Sequence, residues 1–298
     1  MRLVSYSLAG GGLGDTARSG LVVGDEIVDL SDPAVGLPLT LRELLALGPP
    51  ALDRAGRAPA SAAVRHSMDA VRLRSPVTDP PSILAIGMNY KAHVAEMGRE
   101  PPEYQYWFNK QRTAIAGPGD PIVLPPVSSM VDYEGELAMV IGRRCQYIPA
   151  ERAMQVVAGF TVINDVSARD WQWRTPTFTV GKSFDSHAPC GPWLVTTDEV
   201  GDPGDLSIRT WVNNELRQDA RTSDLIFSCA DMISYLTTAF PLEAGTVIAT
   251  GTPAGVGAGL SPPQFLADGD VVRIQIEGIG ELSNPVVQGT SSGPVGLD

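Results

Sequence analysis

The segment DYEGELAMVIG, residues 132–142, decides how the rest of the chain is read. After its acidic start, Leu137, Ala138, Met139, Val140 and Ile141 are apolar at consecutive positions. A strand that is apolar on both faces belongs inside a sheet covered on both sides, so Glu134–Gly142 is expected to be a central strand. Residues i and i+2 of a strand point the same way, so Glu134 and Glu136 project side by side at its start. Adjacent carboxylates repel unless a proton or a cation lies between them, and uncompensated charge on a buried strand is costly. The pair therefore sits at a solvated strand end, or it holds a divalent cation.

Working outward, short strand candidates appear at Ile83–Gly87, Phe160–Ile163, Leu206–Val212, Glu215–Gln218 and Thr246–Thr250, with Val272–Ile276 alternating so that one face is wet. Asn213-Asn214 reads as a tight hairpin turn. Helix candidates are few. They are Leu41–Leu47 after a Thr40 cap, a turn over Asn89–Met97, Ala150–Val157, and Asp224–Thr238 after a Ser223 cap. The 31 glycines and 25 prolines favour many short strands and turns. Strands outnumber helices without a βαβ rhythm, which makes the fold class α+β, mostly β with short helices. Residues 1–75 read as a small N-terminal domain, with strands at Leu3–Ser7, Ser19–Val23 and Glu26–Leu30 and a connection or loose helix over Gly48–Ala63. Three prolines within Ser75–Ser82 mark its end. A larger domain spans 80–290, and 291–298 read as a flexible tail.

The formal net charge of −12 argues against nucleic acid as a partner, because an acidic surface repels phosphate. An anionic substrate would need a local positive centre, which a bound cation supplies. Cys145, Cys190 and Cys229 are far apart and form no CxxC pair, so neither a disulfide framework nor a thiolate metal site is expected. Cys229 falls in helical register with Met232, Ile233 and Leu236, as a core residue would. No apolar run approaches 18 residues and no signal-like segment is read, so neither a membrane span nor export is expected, and the cytoplasm fits.

Four further places could carry chemistry. Asp165, in NDVSARD after the strand Phe160–Ile163, could give a third oxygen ligand or form a turn. Three carboxylates suit Mg2+, Mn2+ or Ca2+. His93 and Glu96, three apart on a helical turn, share a face. A carboxylate beside an imidazole fixes its tautomer and raises its basicity, which would make a base for water; an ordinary exposed contact has the same spacing. Lys182, in GKSFD, could stabilise an oxyanion or lie on the surface. The loop GTPAGVG, 251–257, lacks the phosphate-loop pattern and is expected to bring the Thr252 hydroxyl and backbone N–H groups to a ligand. His66 falls in the expected linker, and His187 is open between a structural and a substrate-rim role. GxSxG and HExxH are absent, which argues against a serine hydrolase or a zincin.

Taken in order, several blocks of the chain resemble the fumarylacetoacetate hydrolase family. They are IGMNYKAHVAEMG (Ile86–Gly98), FNK (Phe108–Lys110), AGPGDPIVLP (Ala116–Pro125), DYEGELAMVIGR (Asp132–Arg143), GFTVINDVSARDWQ (Gly159–Gln172), GKSFDSHAPCGPWLV (Gly181–Val195) and TGTPAGVG (Thr250–Gly257). The resemblance implies a catalytic domain built as a mixed β-roll or β-sandwich, usually in a homodimer. It implies Mg2+ or Mn2+, with Ca2+ as a non-native occupant, on Glu134, Glu136 and Asp165. It implies a water-activating dyad at His93 and Glu96, carried on a lid over the substrate, and a lysine near the reacting oxygen at Lys182. Arg169, Gln172 and Thr252 match positions that line the substrate pocket. The activity implied is hydrolysis of a carbon–carbon bond in a 2,4-diketo acid, with decarboxylation of a 2-oxo acid such as oxaloacetate or isomerisation of a 2-hydroxy-dienoate as alternatives on the same site. A non-catalytic binding scaffold is a third reading. The partner implied is a small anionic 2-oxo acid, with no membrane and no nucleic acid. The chain departs from the family's pattern at Met88 and in the aromatic stretch Glu103–Trp107, and Trp171 and Trp173 flank Gln172. These groups are expected to narrow or extend the pocket.

Overall fold

The computed structural model describes residues 1–9 and 16–290; the tail expected over 291–298 lies outside them. Strands β1 (Arg2–Leu8), β2 (Arg18–Val23) and β3 (Glu26–Asp29) form an antiparallel meander. Helices α1 (Leu41–Ala46) and α2 (Pro49–Arg57) follow, then β4 (Arg65–Ser67) and β5 (Val71–Arg74). Next come β6 (Ile83–Gly87), α3 (Lys91–Glu96), β7 (Tyr106–Lys110), β8 (Ile115–Ala116) and β9 (Ile122–Leu124). The middle of the chain supplies β10 (Val131–Asp132), β11 (Gly135–Ile141), β12 (Val157–Asn164), β13 (Ser167–Ala168) and α4 (Arg169–Gln172). The last third supplies β14 (Ala188–Thr196), α5 (Thr197–Val200), β15 (Ser207–Val212), β16 (Glu215–Arg221), α6 (Cys229–Ala239), β17 (Val247–Ala249), β18 (Val271–Ile276) and β19 (Gly280–Gln288).

A mixed twelve-stranded sheet runs β4-β3-β2-β1-β14-β12-β11-β17-β6-β7, with β5 on β1 and β8 on β14. A five-stranded sheet, β16-β15-β18-β19-β9, packs against it. The mostly-β reading and the β-sandwich character agree with this arrangement. All seven residues of β11 are buried, and its neighbours are β12 and β17. Leu137, Met139 and Ile141 join the cluster shared with Ile208, Ile274 and α6, while Ala138 and Val140 join the cluster on the other face. That two-sided burial is what a continuous apolar run requires. The first 75 residues join the rest by strand pairing: Arg2 of β1 lies opposite Val195 of β14. Leu3, Leu41 and Leu44 share one apolar cluster with Val140 and Ile163, so the sheet and the core run on across the prolines of 75–82.

Several local readings hold and some shift. Thr40 caps α1 in a capping box with Glu43. Asn213 takes the positive φ of the hairpin turn between β15 and β16. The connection Gly48–Ala63 contains α2, and His66 lies in β4 rather than in a linker. Residues 150–156 form a 3-10 helix, cut short where Val157 enters β12. The helix expected over Asp224–Thr238 begins later, at Cys229, capped by Ser228 with Asp231. The cause is tertiary. Asn89 accepts from Ile226 N–H at its backbone oxygen (2.7 Å) and from Phe227 N–H at Oδ1 (2.8 Å), which takes those two N–H groups out of helical pairing. All three cysteines are free and buried. Among the described residues no helix is long and apolar enough to cross a membrane.

Candidate active site and metal centre

Strand register assembles the acidic cluster. β11 and β12 run antiparallel with Gly135 opposite Asn164 and Glu136 opposite Ile163. Residues two apart share a face, so Glu134 and Glu136 on one chain and Ile163 and Asp165 on the other lie on one side at one end of the pair. Asp165 N–H donates to the Glu134 carbonyl at 2.9 Å and extends the pairing past the strands. One oxygen from each of Glu134, Glu136 and Asp165 lies within 4.8 Å of the others, and all three residues are buried.

Three buried cations surround them. Lys182 Nζ donates to Glu134 Oε2 and to Asp165 Oδ2, both at 2.7 Å. An ammonium has three N–H bonds, so one remains, and the side chain lines the cavity above. Lys110, from the end of β7, spends all three: on Asp165 Oδ1 at 2.6 Å, on Val166 O at 3.1 Å, and on the Lys182 carbonyl. Lys110 thus fixes Asp165 and the backbone that carries Lys182, with no N–H left for a ligand. Arg169 donates from Nε (2.9 Å) and Nη2 (2.7 Å) to Asp132, and from Nη1 to Glu134 Oε1 (2.6 Å) and Gln172 Oε1 (3.0 Å). Gly181 lets the Lys182 segment close on α4: its carbonyl accepts from Ala168 N–H at 2.8 Å, and a Cβ there would collide with the Gln172 backbone.

The electrostatics follow. Burial pushes the Glu134 carboxyl up, but the Lys182 and Arg169 charges outweigh it and hold it at about 2. Burial, then the charges of Asp165 and Glu134, push the Glu136 carboxyl well up; the Gly251 N–H at 2.7 Å is its only hydrogen-bond partner among the described residues. Burial pulls Lys110 down, and the Lys182 charge adds to that. Asp132, Glu134, Glu136 and Asp165 face Lys110, Arg169 and Lys182. Fully ionised, the group carries one excess negative charge. The unmatched carboxyl, the all-oxygen donor set and the spacing fit a hard divalent cation. With one bound, the local charge becomes positive and favours an anionic ligand.

The glycine-rich loop 251–257 has a different task from the one expected. Its N–H groups hold the protein's own carboxylates. Gly251 serves Glu136 (2.7 Å), Gly255 serves Glu96 Oε1 (2.9 Å), and Gly257 (2.8 Å) with Ala258 (3.0 Å) serve Asp132. Gly255 sits at φ +102°, and a Cβ there would collide with the Arg217 carbonyl. Thr252 lines the cavity, but its hydroxyl donates to Gly135 O (3.1 Å) and accepts from Gln218 (2.8 Å). Glu96, held by Gly255 through Oε1, meets His93 Nδ1 through Oε2 at 3.1 Å. A carboxylate only accepts, so Nδ1 carries the proton and Nε2 keeps a lone pair on a ring that lines the cavity.

The cavity measures about 110 Å³. Glu134, Glu136, Arg169, Gln172, Lys182, Thr252 and His93 all line it; Asp165 and Glu96 stand behind. Its aromatic wall is Phe108, Trp173 and Phe178. The stretch Tyr104–Trp107 does not reach it: Tyr104 is 68% exposed, and Tyr106 and Trp107 enter β7. Tyr106 acts at one remove, its ring 5.2 Å from that of Phe178. His187 lies away from the cavity. Its Nε2–H donates to Val123 O at 3.1 Å, and burial with the nearby Lys110 charge holds it at about 3. Sequence reading assigned no role to Lys110, Asp132, Asn89 or Gln218. Lys110 and Asp132 stand in the quoted FNK and DYEGE blocks, but nothing local says which carboxylate or cation they meet.

Comparison with known proteins fits this geometry. A family model described as the C-terminal domain of fumarylacetoacetate (FAA) hydrolase matches residues 82–287. The mitochondrial oxaloacetate tautomerase fahd2 of Xenopus laevis is 42% identical over 291 residues, covering 96% of this chain and 90% of that one. The solved fumarylacetoacetate hydrolase of Exiguobacterium antarcticum superposes with a TM-score of 0.83 at 37% identity, covering 97% of this chain and 100% of that one. The maleylpyruvate hydrolase of Sphingobium sp. SYK-6, solved with manganese(II) and pyruvate, gives 0.80 at 33% identity over the same shares.

Proposed function

The chain belongs to the fumarylacetoacetate hydrolase family, and from the site it carries we propose that the protein is a divalent-cation-dependent tautomerase of a short 2-oxo dicarboxylic acid of the oxaloacetate type. The observation that carries the reading is the size of the inner cavity. About 110 Å³ is far below the roughly 300–1,000 Å³ of pockets that enclose drug-sized ligands, and it suits a compact acid. The Xenopus relative is named for the same reaction.

The residues divide the work. Glu134, Glu136 and Asp165 would hold Mg2+ or Mn2+, which when bound supplies positive charge at the carboxylate and 2-oxo oxygens of the substrate. Nε2 of His93 takes a proton from C3 of the keto form, and Glu96 stabilises the imidazolium. The electron pair moves to the 2-oxo oxygen, where the third N–H of Lys182 can donate. Transfer of the proton held by His93 to that oxygen gives the enol and regenerates the base, and the reverse path returns the proton to C3. His93→Ala is expected to slow ketonisation of enol-oxaloacetate by ~10²–10⁴-fold with little change in melting temperature. Rates within about twofold of the parent would remove His93 as the base.

A second reading is hydrolysis of a 2,4-diketo acid. An open outer depression of about 580 Å³ adjoins the cavity and could admit a longer chain. There the same nitrogen takes a proton from water, the hydroxide adds to the 4-oxo carbon, and the C3–C4 bond breaks to release a pyruvate enolate and an acid. A panel of enol-oxaloacetate, oxaloacetate and acylpyruvates with product identification separates tautomerisation, carbon dioxide release and carbon–carbon hydrolysis. Acylpyruvate cleavage without ketonisation above background would overturn the first reading. We place the enzyme in the cytoplasm as a homodimer, acting on a small 2-oxo acid and on neither membranes nor nucleic acid. A monomer mass in light scattering across micromolar concentrations would contradict the dimer.

A further inference from the structure

The inner cavity and the outer depression share a neck made by Met97, Arg99, Trp173 and Phe178. Of the cations lining the inner cavity, Arg169 and Lys182 are buried and bound to carboxylates. Arg99 differs. It is exposed, and among the described residues no carboxylate meets it. Its one side-chain hydrogen-bond contact runs from Nη1 to the Met88 thioether at 3.9 Å, and a thioether is a weak acceptor. Its backbone is nevertheless fixed: Gly98 turns the chain at φ +63° after α3, and Arg99 N–H donates to Val94 O at 3.0 Å. An anchored backbone thus presents a free guanidinium at the mouth of a site whose other cations are buried against carboxylates.

We infer that Arg99 is a specificity-determining residue that receives the distal carboxylate of a dicarboxylic 2-oxo acid whose 2-oxo acid end lies over Glu134, Glu136 and Asp165. This rests on the reading that the inner cavity takes a 2-oxo acid. The planar guanidinium matches a carboxylate with two parallel N–H bonds. The other neck residues, Met97, Trp173 and Phe178, carry no charge, so Arg99 is the charged partner a carboxylate would meet there. In a chain of net charge −12, an unpaired arginine at this mouth also favours entry of anions. A monocarboxylate with an uncharged tail would leave the fork unused.

Titration calorimetry of the Mg2+-loaded protein tests this with oxaloacetate and 2-oxobutyrate, which lacks the second carboxylate. Quenching of tryptophan fluorescence, with Trp173 in the neck, gives a second readout. Arg99→Gln is expected to weaken oxaloacetate by about tenfold, the worth of one charged hydrogen bond, and 2-oxobutyrate by less than about twofold. Arg99→Lys, which keeps the charge but loses the fork, should recover part of the difference. An unchanged ratio of the two affinities in Arg99→Gln, or equal weakening of both ligands, would overturn the assignment while leaving the 2-oxo acid site intact. A parent protein that binds neither ligand would overturn the 2-oxo acid reading and this inference with it.

Discussion

Removing divalent cations with EDTA is expected to take turnover of 2-oxo acids to background, and Mg2+ or Mn2+ to restore it. The reason lies in the charges. Glu134 and Asp165 have lysine and arginine partners, but Glu136 has one N–H and two carboxylate neighbours. Without a cation its carboxyl is pushed towards the protonated form, and the site loses the positive centre that would draw an anionic substrate. Stability gives an independent readout. A cation at 100 times its Kd should stabilise the folded chain by ~2.7 kcal/mol. Glu136→Gln removes a ligand charge while keeping the shape and the Gly251 contact, so it should lose most of that gain in a thermal melt. Full activity after exhaustive chelation, or an undiminished cation-induced shift in Glu136→Gln, would sink the metal assignment.

Arg169→Met is expected to cost ~3–5 kcal/mol, the range for breaking a buried ion pair from one side. Arg169 makes four side-chain hydrogen bonds, three of them to Asp132 and Glu134. Methionine fills much of its volume but leaves Asp132 with backbone N–H partners alone and Glu134 with Lys182 alone. Gln172→Ala removes one of the four bonds and no charge, so about 1 kcal/mol is expected there. Urea denaturation at matched slopes reads both. Adding Asp132→Asn to Arg169→Met should recover part of the loss, because the two residues are directly coupled. A cost for Arg169→Met below about 1 kcal/mol would mean that the carboxylates are not held by this arginine.

The placement of Arg169 also shows where sequence reading falls short. Arg169 borders the cavity, where the resemblance implies a pocket-lining residue. Its donors, however, are turned mostly on the protein's own acids, as are the Thr252 hydroxyl and the amides of the 251–257 loop. A residue's presence in a motif says that it is near the site. Which way its hydrogen bonds run depends on partners distant in sequence. The aromatic insertion shows the same limit: Tyr104–Trp107 stood out in the chain, yet the pocket wall came from Phe108, Trp173 and Phe178.

The sequence by itself determined what local periodicity controls. A run apolar at every position made Glu134–Gly142 a central strand, alternation put Glu134 and Glu136 on one face, and a three-residue spacing on a helical turn brought His93 to Glu96. Tertiary structure alone decided what register and long-range pairing control. Local sequence left Asp165 open between a turn and a third oxygen ligand; the offset that sets Glu136 opposite Ile163 is what brings its carboxylate to the other two. The far end of β7 delivered Lys110 beneath it, and the Asn89 contacts moved the start of α6 from 224 to Cys229. Side-chain alternation and helical spacing follow from covalent geometry, whereas register depends on which backbone groups pair across a fold of 298 residues, and no local stretch contains that choice.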